Sequence, residues 1–228
     1  MSKKRARKSS DQPQRAEPRP PPRLYLITPR LASAEAFAPS LEAALEAADC
    51  ACVLLRPASG AADAIGELLA VVRPIVERHD TALLIESDPA TAKAAQVDGC
   101  HMGPGGASLP DALSLLKPDG IVGVGGIRKR HDAMTAGETD VDYLMFGEPA
   151  ADGWTPPVDE TLEWVGWWAE IFTVPCVAFA ASLEAVGPLA AAGADFVALG
   201  DALWNDPRGP AQAARAAMEA MRAAVGLA

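Results

Sequence analysis

The residues of this 228-residue chain best suited to chemistry form no compact motif. They occur singly, each at or just after the end of a short apolar run: Thr28, Arg56, Glu86, His101, Arg128, Glu148, Ser182, and the neighbours Gly200 and Asp201. Arginines 56 and 128 suit a carboxylate or phosphate group, whose oxygens match the guanidinium fork. Glu86, with Asp88 two residues on, supplies the only nearby carboxylates that could hold a hard cation, and Glu148 is a further polar candidate after the sixth run. His101 alternates with Cys100 and Met102. Its preferred reading is a hydrogen-bonded structural imidazole, with a general base as the alternative. Thr28 and Ser182 offer hydroxyls, and Gly200 permits close backbone approach. No HExxH, P-loop or nucleophile-elbow spacing occurs, and His79, His101 and His131 join no Cys/His set with metal-ligand spacing.

Scattered residues of this kind need a scaffold that gathers strand ends. Eight apolar runs supply the strands: 24–28, 50–56, 82–86, 99–103, 121–125, 142–147, 175–180 and 195–200. Between them the apolar spacing predicts helices, among them 33–48, 61–78, 109–116, 159–172 and 210–225. Strand alternating with helix implies parallel strands joined by crossovers. Eight such units in ~205 residues predict a single closed (β/α)8 TIM barrel over residues 23–228, with its site at the C-terminal rim of the strands. An open doubly wound sheet is the alternative. A repeat runs through the even strands. Asp98, Asp142 and Asp195 are each followed five residues later by Gly103, Gly147 and Gly200, whereas Asp49 is followed by Leu54. The aspartates read as structural. The glycines either admit close backbone approach or only relieve crowding.

Half of the residues are hydrophobic, enough for a large core, and no apolar run is long enough to cross a bilayer. Eight Lys/Arg against Asp11 and Glu17 make residues 1–23 net +6, which leaves −16 for the rest of a chain of formal charge −10. An acidic body repels phosphate backbones, so no nucleic acid and no membrane are expected as partners of the folded domain. Residues 1–22 read as a disordered, basic, Pro-rich tail; an arm for nucleic acid or anionic membrane is the other reading. The tail lacks the apolar stretch of an export signal, which predicts a cytoplasmic protein with four reduced cysteines. Cys50 and Cys52, two apart on a strand, are expected to share one core face. Trp164 and Trp168 share a helix face with Phe172. Packing onto the barrel is preferred, and the interface of a homo-oligomer is the alternative.

The order of segments resembles the thiamine phosphate synthase/TenI family over essentially all of residues 23–228. LYLITPR, from Leu24, resembles that family's LYLVTDR. VLLR, ending at Arg56, resembles VQLR, and DGCHMG, from Asp98, resembles DGVHLG. VGVGG, from Val122, resembles the opening of IGVSTH, and VDYLMFGE, ending at Glu148, resembles ADYIGFGP. The stretch from Pro175 to Leu203 matches the family's last two strands in length and pattern. The resemblance implies a barrel and, for the synthase, the joining of a pyrimidine diphosphate to a thiazole phosphate with Mg²⁺-assisted release of pyrophosphate.

It also implies where the synthase's equipment should lie, and there this chain departs from the pattern. Leu54 and Ala58 stand where a glutamine and a lysine reach the diphosphate, and only Arg56 is kept. Glu86 and Ser87 replace the Asn-Asp whose aspartate binds magnesium. The run from His101 to Gly106 lacks the second metal carboxylate, and Gly153 to Pro157 lacks the substrate-contacting lysine. Ala180 and Ala181 replace a Gly-Gly at the phosphate end, and Asp201 replaces a serine. Asp201 is expected to cap a helix over 202–205 and to obstruct the phosphate place. The expectation is a diverged barrel that binds a small molecule at its C-terminal rim, such as a thiazole or pyrimidine phosphate, with synthase activity in doubt. No cofactor is expected, and Mg²⁺ only if that activity is retained. A non-catalytic partner or regulatory barrel is the alternative.

Overall fold

The computed structural model describes residues 20–103, 108–150 and 153–227. Eight parallel strands pair in chain order, and β1 closes the ring against β8. The strands are β1 (Arg23–Leu31), β2 (Cys50–Pro57), β3 (Ala82–Glu86), β4 (Gly99–Met102), β5 (Ile121–Val124), β6 (Tyr143–Phe146), β7 (Cys176–Ala180) and β8 (Phe196–Leu199). Around them lie α1 (Ala38–Ala47), α2 (Ala62–Arg78), α3 (Pro89–Ala95), α4 (Leu109–Leu116), α5 (Arg130–Gly137), α6 (Val158–Ile171), α7 (Val186–Ala191), α8 (Asp201–Trp204) and α9 (Pro210–Ala224). This is the single (β/α)8 barrel that the alternation of strand and helix predicts. The closed ladder excludes the open sheet.

Two boundaries move because of proline. β1 runs past Thr28, since a register shift between Ile27 and Arg30 leaves Pro29, which has no N–H, out of the ladder. α1 begins at Ala38 rather than Ser33, since Pro39 is tolerated in a helix only within its first turn.

Each strand alternates between two apolar layers. Leu24, Leu26, Val53, Leu55 and Ile85 face the helices, while Tyr25, Ile27, Leu54, Leu84, Tyr143 and Met145 fill the lumen. Cys50 and Cys52 are both buried, but they lie in opposite layers: Cys50 faces the helices and Cys52 the lumen. The expectation of a shared face fails at a bulge. Between Leu24 and Tyr25 the partner strand advances from Cys50 to Cys52, which reverses the alternation. On α6, Trp168 is fully buried, stacks on Phe172 with ring centroids 3.9 Å apart, and donates Nε1–H to the Val174 carbonyl at 2.8 Å. Trp164 and Trp167 pack half-buried against the same core. The tryptophan face therefore packs onto the barrel.

At the N-terminal end of the strands the aspartate repeat is a repeated contact. Asp98, Asp142 and Asp195 accept the backbone N–H of Leu83, Val122 and Cys176 at 2.7, 2.6 and 2.8 Å. Each returns its own N–H to the carbonyl of that same residue. A carboxylate thus ties the base of every even strand from β4 onward to the preceding odd strand. Asp49 instead meets the Arg23 guanidinium at 2.9 Å. The glycines share no such role. Gly147 adopts φ +82°, where an L side chain is strained, but a Cβ at Gly103 would meet open space and one at Gly200 only ordinary contacts.

Residues 1–19 of the expected tail lie outside the described residues. Pro22, just before β1, is buried. Among the described residues no helix is long and apolar enough to cross a membrane.

Candidate functional site

The ends of β1, β2 and β3 build the first half of the C-terminal rim. Past the bulge, the register sets Arg30 beside Arg56. Thr28 holds the bulge: its hydroxyl accepts the Arg56 backbone N–H at 3.0 Å and donates to the Pro29 carbonyl at 2.9 Å. It is almost wholly buried, so it shapes the rim rather than lining it. Two adjacent guanidinium groups would repel each other. Glu86, at the end of β3, resolves this by accepting from Arg30 Nη2 with Oε1 at 2.5 Å and from Arg56 Nε with Oε2 at 2.6 Å.

The second half is a buried row of polar groups crossing the lumen from β1 to the loop after β6. Tyr25 Oη lies 2.8 Å from Tyr143 Oη, which lies 2.9 Å from His101 Nδ1. On the other side of the ring, His101 Nε2 lies 3.3 Å from Glu148 Oε2, and that oxygen also accepts the Gly126 N–H at 3.0 Å. Burial pushes both tyrosine hydroxyls well above their ordinary value, so both keep their protons. Burial would also raise the Glu148 carboxyl. The His101 ring, the Arg56 guanidinium and the Gly126 N–H together outweigh that effect and hold it below the ordinary carboxylate value. Nε2 therefore donates to Glu148 whether the imidazole is neutral or charged. With a neutral ring, the row points one way: Tyr25 to Tyr143, Tyr143 to Nδ1, Nε2–H to Glu148. Two backbone positions make room for it. A Cβ at Gly123 would sit 1.9 Å from the Tyr143 ring, and one at Gly125 would sit 2.2 Å from Glu148 Oε2 and 2.5 Å from His101 Nε2.

The remaining sequence-predicted residues stand apart from these two groups. Arg128 is exposed and lies over the Trp154 ring, 4.5 Å from its centroid. Ser182 is half-buried at the start of the 3-10 turn Leu183–Ala185. Gly200 is buried at the N-cap of α8. Asp201 does not cap the helix, contrary to expectation. It is the first helical residue and exposed, Gly200 holds the cap position, and no side-chain capping bond forms. A carboxyl within the first turn is past the position from which a cap reaches the free N–H groups of that turn.

His101 is the hydrogen-bonded imidazole preferred from sequence, with both ring nitrogens engaged. Tyr25, Tyr143, Gly125 and Gly126 were not singled out by their sequence. A signal existed: the chain has two tyrosines, both inside apolar strand runs, where a hydroxyl needs a buried partner.

The two carboxylates after β3, Glu86 and Asp88, are already engaged and do not fit magnesium as they stand. Both Glu86 oxygens are bridged by guanidinium groups. Asp88 caps α3, with Oδ1 on the Thr91 N–H at 3.0 Å and Oδ2 on its hydroxyl at 2.7 Å, and these bonds hold it below the ordinary carboxylate value. A hard cation needs several free oxygens converging on one point. Among the described residues no three His, Cys, Asp or Glu side chains converge in that way.

The family model described as thiamine monophosphate synthase matches residues 24–203. A thiamine-phosphate synthase of Rhodospirillum centenum is 42% identical over 193 residues, which cover 84% of this chain and 93% of that protein. This chain belongs to the thiamine phosphate synthase/TenI family. A second relative in the family, a thiamine-phosphate synthase of Hyphomonas neptunium, is 37% identical over 211 residues, covering 88% of this chain and 94% of that protein. Among solved structures, a thiamine phosphate pyrophosphorylase from Pyrococcus furiosus superposes with a TM-score of 0.75 at 20% identity, over 89% of this chain and 96% of that one. Orotidine 5′-phosphate decarboxylase from Pyrococcus horikoshii superposes with a TM-score of 0.60 at 14% identity, over 87% and 99%. At those identities the two structures speak for the barrel alone.

Proposed function

We propose that this thiamine phosphate synthase/TenI barrel binds a small molecule at its C-terminal rim, at a site altered from that of a magnesium-assisted synthase. One observation carries the reading. Glu86 and Ser87 stand where the family resemblance places an Asn-Asp whose aspartate binds magnesium: Ser87 brings no carboxylate, and the two oxygens of Glu86 are already shared between Arg30 and Arg56. Freeing it for a cation would leave two adjacent guanidinium groups without their counter-charge. Leu54, in place of the expected diphosphate-reaching glutamine, is fully buried in the lumen and offers no hydrogen bond. The two arginines at this part of the rim already share Glu86 as their counter-charge, and this also favours a second reading, a non-catalytic barrel that serves a partner.

The test is pyrophosphate release from the pyrimidine diphosphate and thiazole phosphate substrates in the presence of Mg²⁺. Release no faster than without protein is the expected result. Magnesium-dependent turnover that is lost in Arg56→Ala would overturn the proposal and make this chain a synthase, as its Rhodospirillum relative is named.

A further inference from the structure

We infer that Glu148 is the ligand-contacting carboxylate of the rim, and that it selects a ligand bearing an amine, amidine or ring amino group over an anionic one. The inference rests on the proposal that a small molecule binds at this rim, and it names the chemistry that molecule must carry.

Glu148 is held from one side only. Oε2 takes the Gly126 N–H and the His101 Nε2–H, while no hydrogen bond reaches Oε1 among the described residues. No buried side-chain oxygen or nitrogen among them lacks a partner, so Oε1 keeps some contact with solvent. The side chain as a whole is only 14% exposed. It is thus a fixed, ionised carboxylate with one acceptor oxygen left to solvent. The rim's other carboxylates differ. Glu86 has both oxygens bridged, Asp88 has both in its helix cap, and Asp201 is exposed at the far side, after β8.

The placement is built into the backbone. A side chain at residue 125 would occupy the space of the carboxylate and of the imidazole nitrogen that steers it. The family resemblance puts serine at that position and proline at 148, so the Gly125 and Glu148 of this chain form one matched change. His101 cannot meet a ligand itself, since its side chain is fully buried and both ring nitrogens are engaged. It is a positioning residue, itself fixed by Tyr143. An N–H donor approaching Oε1 gains a charge-assisted hydrogen bond. An anion meets the carboxylate's own negative charge at the same point, offset only in part by His101 and Arg56.

The test is calorimetric titration of the full chain, at fixed ionic strength, with two probes of one ring and opposite polarity: 4-aminopyrimidine and pyrimidine-4-carboxylate. The wild type should bind the amine and not the carboxylate. Glu148→Gln keeps the shape and removes the charge, and it should weaken amine binding about tenfold or more. Gly125→Ser should do the same by displacing the carboxylate. A readout on the wild type guards against unfolded variants: bound 4-aminopyrimidine should shield Glu148 from carbodiimide labelling, followed by mass spectrometry. Carboxylate binding equal to or tighter than amine binding, binding of neither probe, unchanged affinity in Glu148→Gln, or no shielding would each overturn the inference. Magnesium-dependent pyrophosphate release would instead overturn the altered-site proposal and leave the polarity at Glu148 to these titrations, so the two failures are separable.

Discussion

The two ends of the barrel use carboxylates in opposite ways. At the N-terminal end, Asp98, Asp142 and Asp195 do the same thing three times, each gripping the N–H of the preceding strand. At the C-terminal end the four carboxylates named above have four different roles. Glu86 bridges two arginines, Asp88 caps a helix, Glu148 is carried on an imidazole, and Asp201 stands exposed at a helix start. Repetition at near-constant spacing marks the end that holds the strands in register. At the other end the same residue types hold no such common contact.

That contrast can be broken by mutation. The largest effect is expected from Asp98→Ala, which strands the Leu83 N–H and should cost about 1–3 kcal/mol of stability by urea denaturation, with ligand binding at the other rim unchanged. Asp142→Ala and Asp195→Ala should behave alike. A loss below about 0.5 kcal/mol in all three would mean that the repeat is ornamental rather than structural. Tyr143→Phe comes next, at about 1–2 kcal/mol, because it deprives His101 Nδ1 and the Tyr25 hydroxyl of a shared partner. This variant should lower stability and ligand binding together, which no change at the aspartate end should do.

A smaller, pH-dependent effect belongs to Glu148. Its carboxyl is held below the ordinary value of 4.5 in the folded chain. Its contribution to stability is therefore complete above that ordinary value and disappears as the pH falls through the lower, folded one. Urea denaturation between about pH 7 and about pH 3 should show the gap between wild type and Glu148→Gln closing on acidification. A gap independent of pH would mean that the partners of Glu148 do not favour its charge. The smallest effects are expected where the pattern lapses. Asp49→Ala breaks a half-exposed ion pair with Arg23 and should change stability by less than about 0.5 kcal/mol. Asp201→Ser, which removes no cap, should do no more.

What the sequence revealed follows from the range of the forces involved. Strand and helix positions are written in local periodicity, so β3 and α4 are read to the residue and the closed barrel follows from counting units. The displaced boundaries lie at Pro29 and Pro39, where a local rule was known but a bulge or first-turn placement accommodated the ring. The faces of Cys50 and Cys52 were misassigned because a bulge reverses alternation without leaving a mark in composition. Most of the rim residues could be named from their position after apolar runs, but their grouping could not. Tyr25 and Tyr143 are 118 residues apart, and His101 and Glu148 are 47 apart. Only closure of the barrel makes them neighbours. Gly125 was legible as a glycine but not as the space that another side chain fills.

The row from Tyr25 to Glu148 has one more consequence. Its tyrosines are the only two in the chain. Isotopic labelling of tyrosine alone would therefore give a spectrum of two residues, both lining the interior of the barrel and both one or two hydrogen bonds from the imidazole. A change of charge at the mouth acts on a row that ends at these two hydroxyls, so the unmodified protein carries its own reporter, placed at its centre and free of signals from the surface.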